Sequence, residues 1–162
     1  MNDIAAEAGV SRQTLYNTFP GKTEILRAAV RLKMEEGLDA VRARWAETGD
    51  LGARIDAFFT HGAVTWFDAV HASPELAQLL DGMHAVAFEE MAEGKARWVA
   101  FVEQGFRDAG VRLRDPEISI GEIADFLFTA AKSAKDASAS RPELLSRLKV
   151  IRQAVIAMTE GA

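Results

Sequence analysis

Apolar residues recur at helical spacing along most of the first half of the chain. Residues 22–48 contain no proline and are rich in Ala, Leu, Arg and Glu, which predicts one long helix. Gly49 and Asp50 mark a turn, and a broad helical apolar face follows over residues 51–70. Ser73 and Pro74 have the residue types expected at the start of a short helix that runs toward Gly82.

The second half of the chain repeats this pattern. Residues 84–109 carry apolar side chains on a helical period and end at Gly110, a residue typical of helix C-termini. Residues 111–117 form a polar connection, and two more stretches with apolar steps of three and four follow, separated by residues 137–142. No segment alternates with a period of two for long enough to indicate a strand. We therefore predict an all-α architecture.

The segment from Ile4 to Leu26 has the features of a helix-turn-helix. Ala5 is small where two helices must cross closely, Gly9 can adopt the positive φ of a tight turn, and Leu15 would fill the core of the second helix. Ser11 is suited to cap that helix, which we expect over residues 12–19. This combination indicates a DNA-binding regulator.

The polar residues of the second helix lie away from its Leu15–Phe19 face and are free to point outward. Among them, arginine can bond guanine edges, and glutamine and asparagine can bond adenine edges. Pro20 and Gly21 end the helix, and Lys22 opens the next one where a phosphate contact is expected. The predicted DNA-binding residues are Ser11, Arg12, Gln13, Thr14, Tyr16, Asn17 and Lys22.

The stretch GVSRQTLYNTFPGKTEIL resembles the signature of the TetR family of one-component transcriptional regulators. The residues that fall in the family's register are Val10, Ser11, Thr14, Leu15, Tyr16, Phe19, Lys22 and Leu26. The resemblance implies an all-helical homodimer with a small N-terminal DNA-binding domain and a larger C-terminal domain that binds a small-molecule inducer. It further implies that Thr14, Tyr16 and Lys22 contact the DNA backbone, and such contacts position a protein without specifying sequence.

The family normally has a helix ahead of the helix-turn-helix, whereas only Met1, Asn2 and Asp3 precede Ile4 here. We therefore expect a DNA-binding domain over residues 1–33, the head, that is incomplete at its N-terminus. Residues 34–162 would form the ligand-binding and dimerisation domain, the body. The predicted function is a ligand-responsive regulator, specifically a repressor released from a double-stranded DNA operator by a small hydrophobic or amphipathic effector. The alternative is a TetR-like helical protein that binds a ligand or partner and has lost DNA binding.

Composition and charge narrow this prediction. No apolar run approaches the 18 residues of a membrane span and no targeting segment is evident, so we expect a cytoplasmic protein without membrane association. The absence of cysteine excludes disulfides and thiolate chemistry, and no cofactor is expected. The head has a net charge of +2 and the remainder a net charge of −7, within a total of −5. This asymmetry is typical of a DNA-facing head on an acidic body.

The last two apolar stretches form stripes of the kind that pack in helical bundles. Either each stripe packs on its own chain, or the two helices pair with a symmetry mate in a four-helix bundle, as the resemblance implies. We favour the second interpretation, a homodimer. The predicted interface residues are Ile123, Leu127, Ala130, Ala134, Leu144, Leu148, Ile151 and Val155.

A ligand pocket is predicted in the body. His84 and Lys95 interrupt an otherwise apolar stripe, where either could anchor a polar group of an amphipathic effector. Alternatively, they are a hydrogen-bonded core histidine and a lysine that reaches solvent. The predicted pocket residues are Phe59, Trp66, His84, Phe88, Met91 and Trp98.

Catalysis and metal binding find little support in the sequence. Asp68 and His71 share a helical face, as do Asp81 and His84, but both pairs lie at predicted helix ends, where such residues are common. The acidic run that contains Glu89, Glu90 and Glu93 lacks the Glu-x-x-His pattern of carboxylate-bridged metal enzymes. We predict neither an enzyme nor a metal site.

Overall fold

A computed structural model describes residues 1–73 and 87–160 of the chain. Within these ranges there is no β-strand beyond an isolated bridge between Leu113 and Thr159, and the predicted all-α fold is confirmed. The helices are α1 Asn2–Glu7, α2 Arg12–Thr18, α3 Lys22–Ala46, α4 Leu51–Phe59, α5 Thr65–Ala72, α6 Phe88–Asp108, α7 Ile120–Ala137 and α8 Arg141–Met158, with a π-helical turn at Thr60–Val64 between α4 and α5.

Four of the eight described α-helices begin with a residue whose side chain caps the helix. The Asp50 side chain accepts the backbone N–H of Ala53 at the start of α4, and Ser140 accepts that of Glu143 at the start of α8. Ser119 and Glu122 form a capping box at the start of α7. Gly110, predicted to close α6, has a φ of +69°. The side-chain hydrogen bonds of Asp50, Ser119 and Ser140 satisfy backbone N–H groups that have no partner within the helix.

The main core lies in the body, where the C-terminal half of α3 packs with α4, the π turn, α6, α7 and α8. Its most deeply buried large side chains are Val41, Ile55, Phe58, Val102, Phe106, Leu127, Leu144 and Val155. Trp98 of α6 is part of this core, and its indole N–H donates a hydrogen bond to the Met34 carbonyl of α3 at 3.1 Å. The α3 helix is thereby anchored to α6 below the head.

One predicted element is interrupted in the structure, and part of the prediction lies outside the described residues. The apolar face over residues 51–70 is not one regular helix, since the π turn interrupts it. The helix predicted from residue 84 is described only from Phe88, and the short helix predicted toward Gly82 lies outside the described residues. The proposed boundary between residues 33 and 34 falls inside α3, so head and body share a continuous helix; the division into two domains stays a prediction.

The apolar stripes of α7 and α8 pack on the chain itself, and the assignment of their residues to a dimer interface stays a prediction. Six of the eight, namely Ile123, Leu127, Ala134, Leu144, Leu148 and Val155, are buried in the chain's own core. Ala130 and Ile151 are half-buried. The reason is that α7 and α8 face each other and also cover α4 and α6. A second copy would therefore have to contact the outward positions of these helices.

Candidate nucleic-acid interface

The turn between α1 and α2 has the geometry expected of a helix-turn-helix. Gly9 has a φ of +64°, a left-handed conformation that side chains disfavour. The N–H groups of Gly9 and Val10 donate to the carbonyls of Ala6 and Ala5, at 3.1 and 3.0 Å, and so close the end of α1. Ala5 is 2% exposed, as a close helix crossing requires.

Ser11 begins α2 as predicted. Its backbone is extended, and its hydroxyl oxygen accepts the Thr14 backbone N–H at 3.0 Å. The helix ends at Thr18, one residue earlier than predicted, because Phe19 precedes Pro20 and adopts an extended conformation. Leu15 is buried and Phe19 is half-buried. This inward face fixes the rotation of α2 about its axis.

The opposite face of α2 is exposed and polar. Arg12, Gln13, Thr14 and Asn17 are all exposed, and Tyr16 is 44% exposed. The Gln13 side-chain amide donates to the Asn17 amide oxygen at 2.9 Å, so two of the three predicted base-reading side chains are held together one turn apart. Each amide retains further donor and acceptor capacity toward a base edge. All seven predicted DNA-binding residues are exposed.

The positive charges of the head differ in their partners. Three of them form ion pairs: Arg27 with Glu24, Arg31 with Glu90, and Lys33 with Glu36. Within the described ranges no ion pair is formed by Arg12 or Lys22, which begin α2 and α3. Lys22 is exposed at a helix N-terminus, where backbone N–H groups also favour an anion. The unpaired charge of the head therefore lies at the predicted DNA-facing surface.

The predicted ligand-binding residues do not converge. Phe59 and Trp98 are buried in the main core, whereas Phe88 is 72% exposed. Trp66 is half-buried with the Lys135 ammonium 6.0 Å from its ring, and Met91 packs against Val30 and Ala87 in a separate cluster. His84 lies outside the described residues. The common helical period suggested one surface, but the five described positions are distributed over the main core, a second cluster and the exposed surface.

Grooves on the surface of the described part of the chain include one between α3 and α6 and one along α7. One, of about 340 Å³, runs between α3 and α6 and has Met34, Leu38 and Trp98 in its apolar part, with Glu35, Asp39, Arg42 and Arg97 around it. The other, of about 670 Å³, is shallow and follows α7 on either side of Phe126. Of the predicted ligand-binding residues, Trp98 lines the first groove.

The Asp68–His71 pair has ordinary structural partners. Asp68 accepts the Arg141 Nε at 3.1 Å, and the His71 ring stacks on Phe67 at a centroid distance of 3.8 Å. Asp81 and His84 lie outside the described residues. Among the residues that are described, no three His, Asp or Glu side chains are grouped in a way that could hold a metal ion. None of the described helices is both long and apolar enough to cross a bilayer.

One charged contact between head and body was missed in the sequence. Glu90 of α6 is buried and contacts Arg27 and Arg31 of α3. In the sequence, Glu90 is part of an acidic run whose pattern raised only the possibility of a metal ligand. Partners 59 and 63 residues away leave no local signal, and the one available hint is that Arg27 and Arg31 lie one turn apart on the predicted long helix.

Comparisons with known proteins agree with this geometry. The family described as bacterial regulatory proteins, tetR family, matches residues 1–29, which contain α1, α2 and the start of α3. The HTH-type transcriptional repressor LfrR of Mycolicibacterium smegmatis is 26% identical over 148 residues, an alignment that covers 82% of this chain and 78% of the relative. The similarity to that relative therefore extends well beyond the head.

Proposed function

The chain is a member of the tetR family of bacterial regulatory proteins, and we propose that it is a dimeric repressor that releases its operator when a small effector binds. As a member it is a DNA-binding transcriptional regulator. The observation that carries the finer proposal is the α2 surface, on which exposed hydrogen-bonding side chains lie beside the two head cations that have no described ion pair. Repression is supported by the name of the relative, a transcriptional repressor.

A dimer would present two α2 helices to one duplex. Two-fold symmetric helix-turn-helix proteins place their recognition helices in successive major grooves about 34–36 Å apart, which corresponds to a pseudo-palindromic site. Arg12, Gln13 and Asn17 would then contact base edges, and Tyr16 and Lys22 the phosphates on either side. The acidic body would be repelled by the duplex, so that only the heads approach it.

The α3 helix offers a route for effector control. It runs without a break from Lys22 at the DNA-facing surface to Ala46 in the main core. We place the effector in the groove between α3 and α6, since an apolar ligand seated on Met34, Leu38 and Trp98 would push directly on α3. An effector weakens DNA binding only to the extent that it prefers the displaced position of α3. Release by such a compound should therefore be accompanied by a change in tryptophan fluorescence that Trp98→Phe abolishes.

The DNA-binding proposal is tested with substitutions on the α2 surface. The probe is the duplex that the unmodified chain selects from a random-sequence pool, with affinity measured by fluorescence anisotropy at several salt concentrations. Gln13→Ala and Asn17→Ala should relax preference at individual base pairs by about 1–3 kcal/mol. Lys22→Ala should weaken binding to all sequences and reduce the slope of log K against log salt by about 1.

Arg112→Ala is the matched control, because it removes one exposed positive charge from the connection between α6 and α7, in the body. It should leave affinity, preference and salt slope as in the unmodified chain. If the unmodified chain selects no sequence, while its helical circular dichroism shows that it is folded, the repressor proposal is wrong. The alternative of a ligand- or partner-binding protein without DNA binding would then be preferred.

A further inference from the structure

Glu90 joins the head-bearing half of α3 to the body. It lies in the first turn of α6 and is 8% exposed. Its Oε1 accepts a hydrogen bond from Arg31 Nη1 at 3.2 Å and lies 3.6 Å from Arg27 Nε. Because Arg27 and Arg31 are four residues apart on α3, one carboxylate oxygen spans a full turn of that helix.

The contact is part of a small cluster that is distinct from the main core. Val30 and Ala87 are buried at its centre, and Leu26, Met34 and Met91 pack around them. Ahead of Met34, the buried contact between α3 and α6 in the described residues consists of this cluster and the Glu90 ion pairs. This is one point at which the described part of the body holds the half of α3 that carries the head.

The Glu90 carboxylate is poorly suited to stabilising the cluster around Val30 and Ala87. Its Oε2 is buried and has no hydrogen-bond partner among the described residues, which costs free energy relative to a satisfied or apolar side chain. Glu90 is buried, whereas the side chains of Arg27 and Arg31 are 36% and 42% exposed, so the ion pairs are lost to solvent when α3 and α6 move apart. Buried ion pairs add little stability in many proteins, and in some they select one geometry.

We propose that Glu90 is a latch that holds the head-bearing half of α3 in one orientation on α6. The latch is a positioning device that acts through Arg27 and Arg31 and has no contact with DNA of its own. Opening it allows the head to sample other orientations while the main core stays folded. Its consequence for DNA binding rests on the proposed function, but the movement of α3 does not.

The movement is tested by hydrogen exchange on the full chain. Glu90→Gln keeps the size of the side chain and removes its charge, and the control Glu93→Gln makes the same change at an exposed position one turn away. Amides of residues 24–33 should exchange about tenfold faster in Glu90→Gln, while those of residues 123–134 in the main core keep their rates. Glu93→Gln should match the unmodified chain throughout.

The variant Arg31→Gln tests whether Glu90 acts as a latch or only through packing. It should reproduce the faster exchange of residues 24–33, and combining it with Glu90→Gln should add little, because both changes break the same contact. Additive effects in the double variant would contradict the latch. Uniformly faster exchange across the whole chain, or no change in residues 24–33, would also contradict it, since either result makes Glu90 a general stabilising group or a dispensable one.

The DNA consequence is measured with the duplex selected from a random pool. Glu90→Gln should bind that duplex about tenfold more weakly, because the spacing of the two heads is no longer fixed, and should bind a random duplex as before. Tighter binding with a steeper salt slope would overturn the latch and show that Glu90 shields Arg27 and Arg31 from phosphates. If the unmodified chain selects no duplex, the repressor proposal fails while the exchange experiment still decides the latch.

Discussion

Trp98 shows how single residues determine the packing between α3, the π turn and α6. Its ring edge occupies a gap left by two glycines: a Cβ on Gly37 would lie 3.0 Å from Trp98 Cζ2, and one on Gly62 would lie 3.1 Å from Cζ3. These contacts are closer than ordinary van der Waals distances, and the ring is also held by its hydrogen bond to the Met34 carbonyl. The indole therefore has little room to move away from an added methyl group.

We expect Gly62→Ala to destabilise the fold by about 1–3 kcal/mol through overpacking against Trp98. Gly49→Ala is the matched control, because a Cβ there meets no atom within 4 Å, and it should change the free energy of unfolding by less than about 0.5 kcal/mol. Chemical denaturation followed by tryptophan fluorescence measures both. Equal stabilities of the two variants would show that the ring can relax.

At the scale of elements, α7 depends on its N-terminal capping box. The Ser119 backbone N–H donates to Glu122 Oε2 at 2.8 Å, the Ser119 hydroxyl donates to the same oxygen at 2.7 Å, and the Glu122 N–H donates to the Ser119 hydroxyl at 3.1 Å. The backbone and side-chain hydrogen bonds from Ser119 hold the pKa of Glu122 below its usual value of 4.5. The ionised carboxylate is therefore the form that the folded helix prefers.

A depressed pKa makes the contribution of the capping box dependent on pH. Because the folded pKa lies below the unfolded one, the contribution is complete above about pH 4.5 and is lost as the pH falls through the folded value. Glu122→Gln keeps a side chain that suits a capping box but does not titrate, so the thermal unfolding midpoint should fall less steeply with acid than that of the unmodified chain. An unchanged acid dependence in a pH series would contradict this role.

At the scale of the whole molecule, three large apolar side chains of α7 and α8 stay outside the core. Phe126 on α7 is 41% exposed, and Leu145 and Val150 on α8 are 42% and 68% exposed. They lie on the same two helices as the stripe that forms the chain's own core. We expect a second copy to cover these outward positions.

Glutamate substitutions can distinguish the outward positions of α7 and α8 from the buried positions of the same helices. Phe126→Glu combined with Val150→Glu should yield folded monomers, because it places charges where the partner would pack. Leu148→Glu should instead unfold the chain, since Leu148 is 3% exposed and the charge would be buried without a partner. Light scattering gives the mass and circular dichroism the fold. A double variant that keeps the mass of a dimer would exclude this surface.

The sequence by itself determined the local features of this protein. The Gly9 turn, the Ser11 cap, the polar outer face of α2 and the continuity of α3 all depend on interactions within a few residues, and the structure has each where the pattern predicted it. The exposure of the predicted DNA-binding side chains of α2 followed directly, because Leu15 fixes which face of α2 points inward. The division of the chain into a head and a body stays a prediction.

Only the tertiary structure decided which partner each apolar stripe meets. A stripe such as Leu127 with Ala134, or Leu144 with Leu148, has the same spacing whether it packs on its own chain or on a second copy, and the chain's own helices cover it here. The same holds for Trp98, whose place between two glycines depends on α3 and the π turn, and for Glu90, whose arginines lie about 60 residues away in the sequence. Periodicity specifies a face, whereas the neighbour of that face is set by packing over long separations.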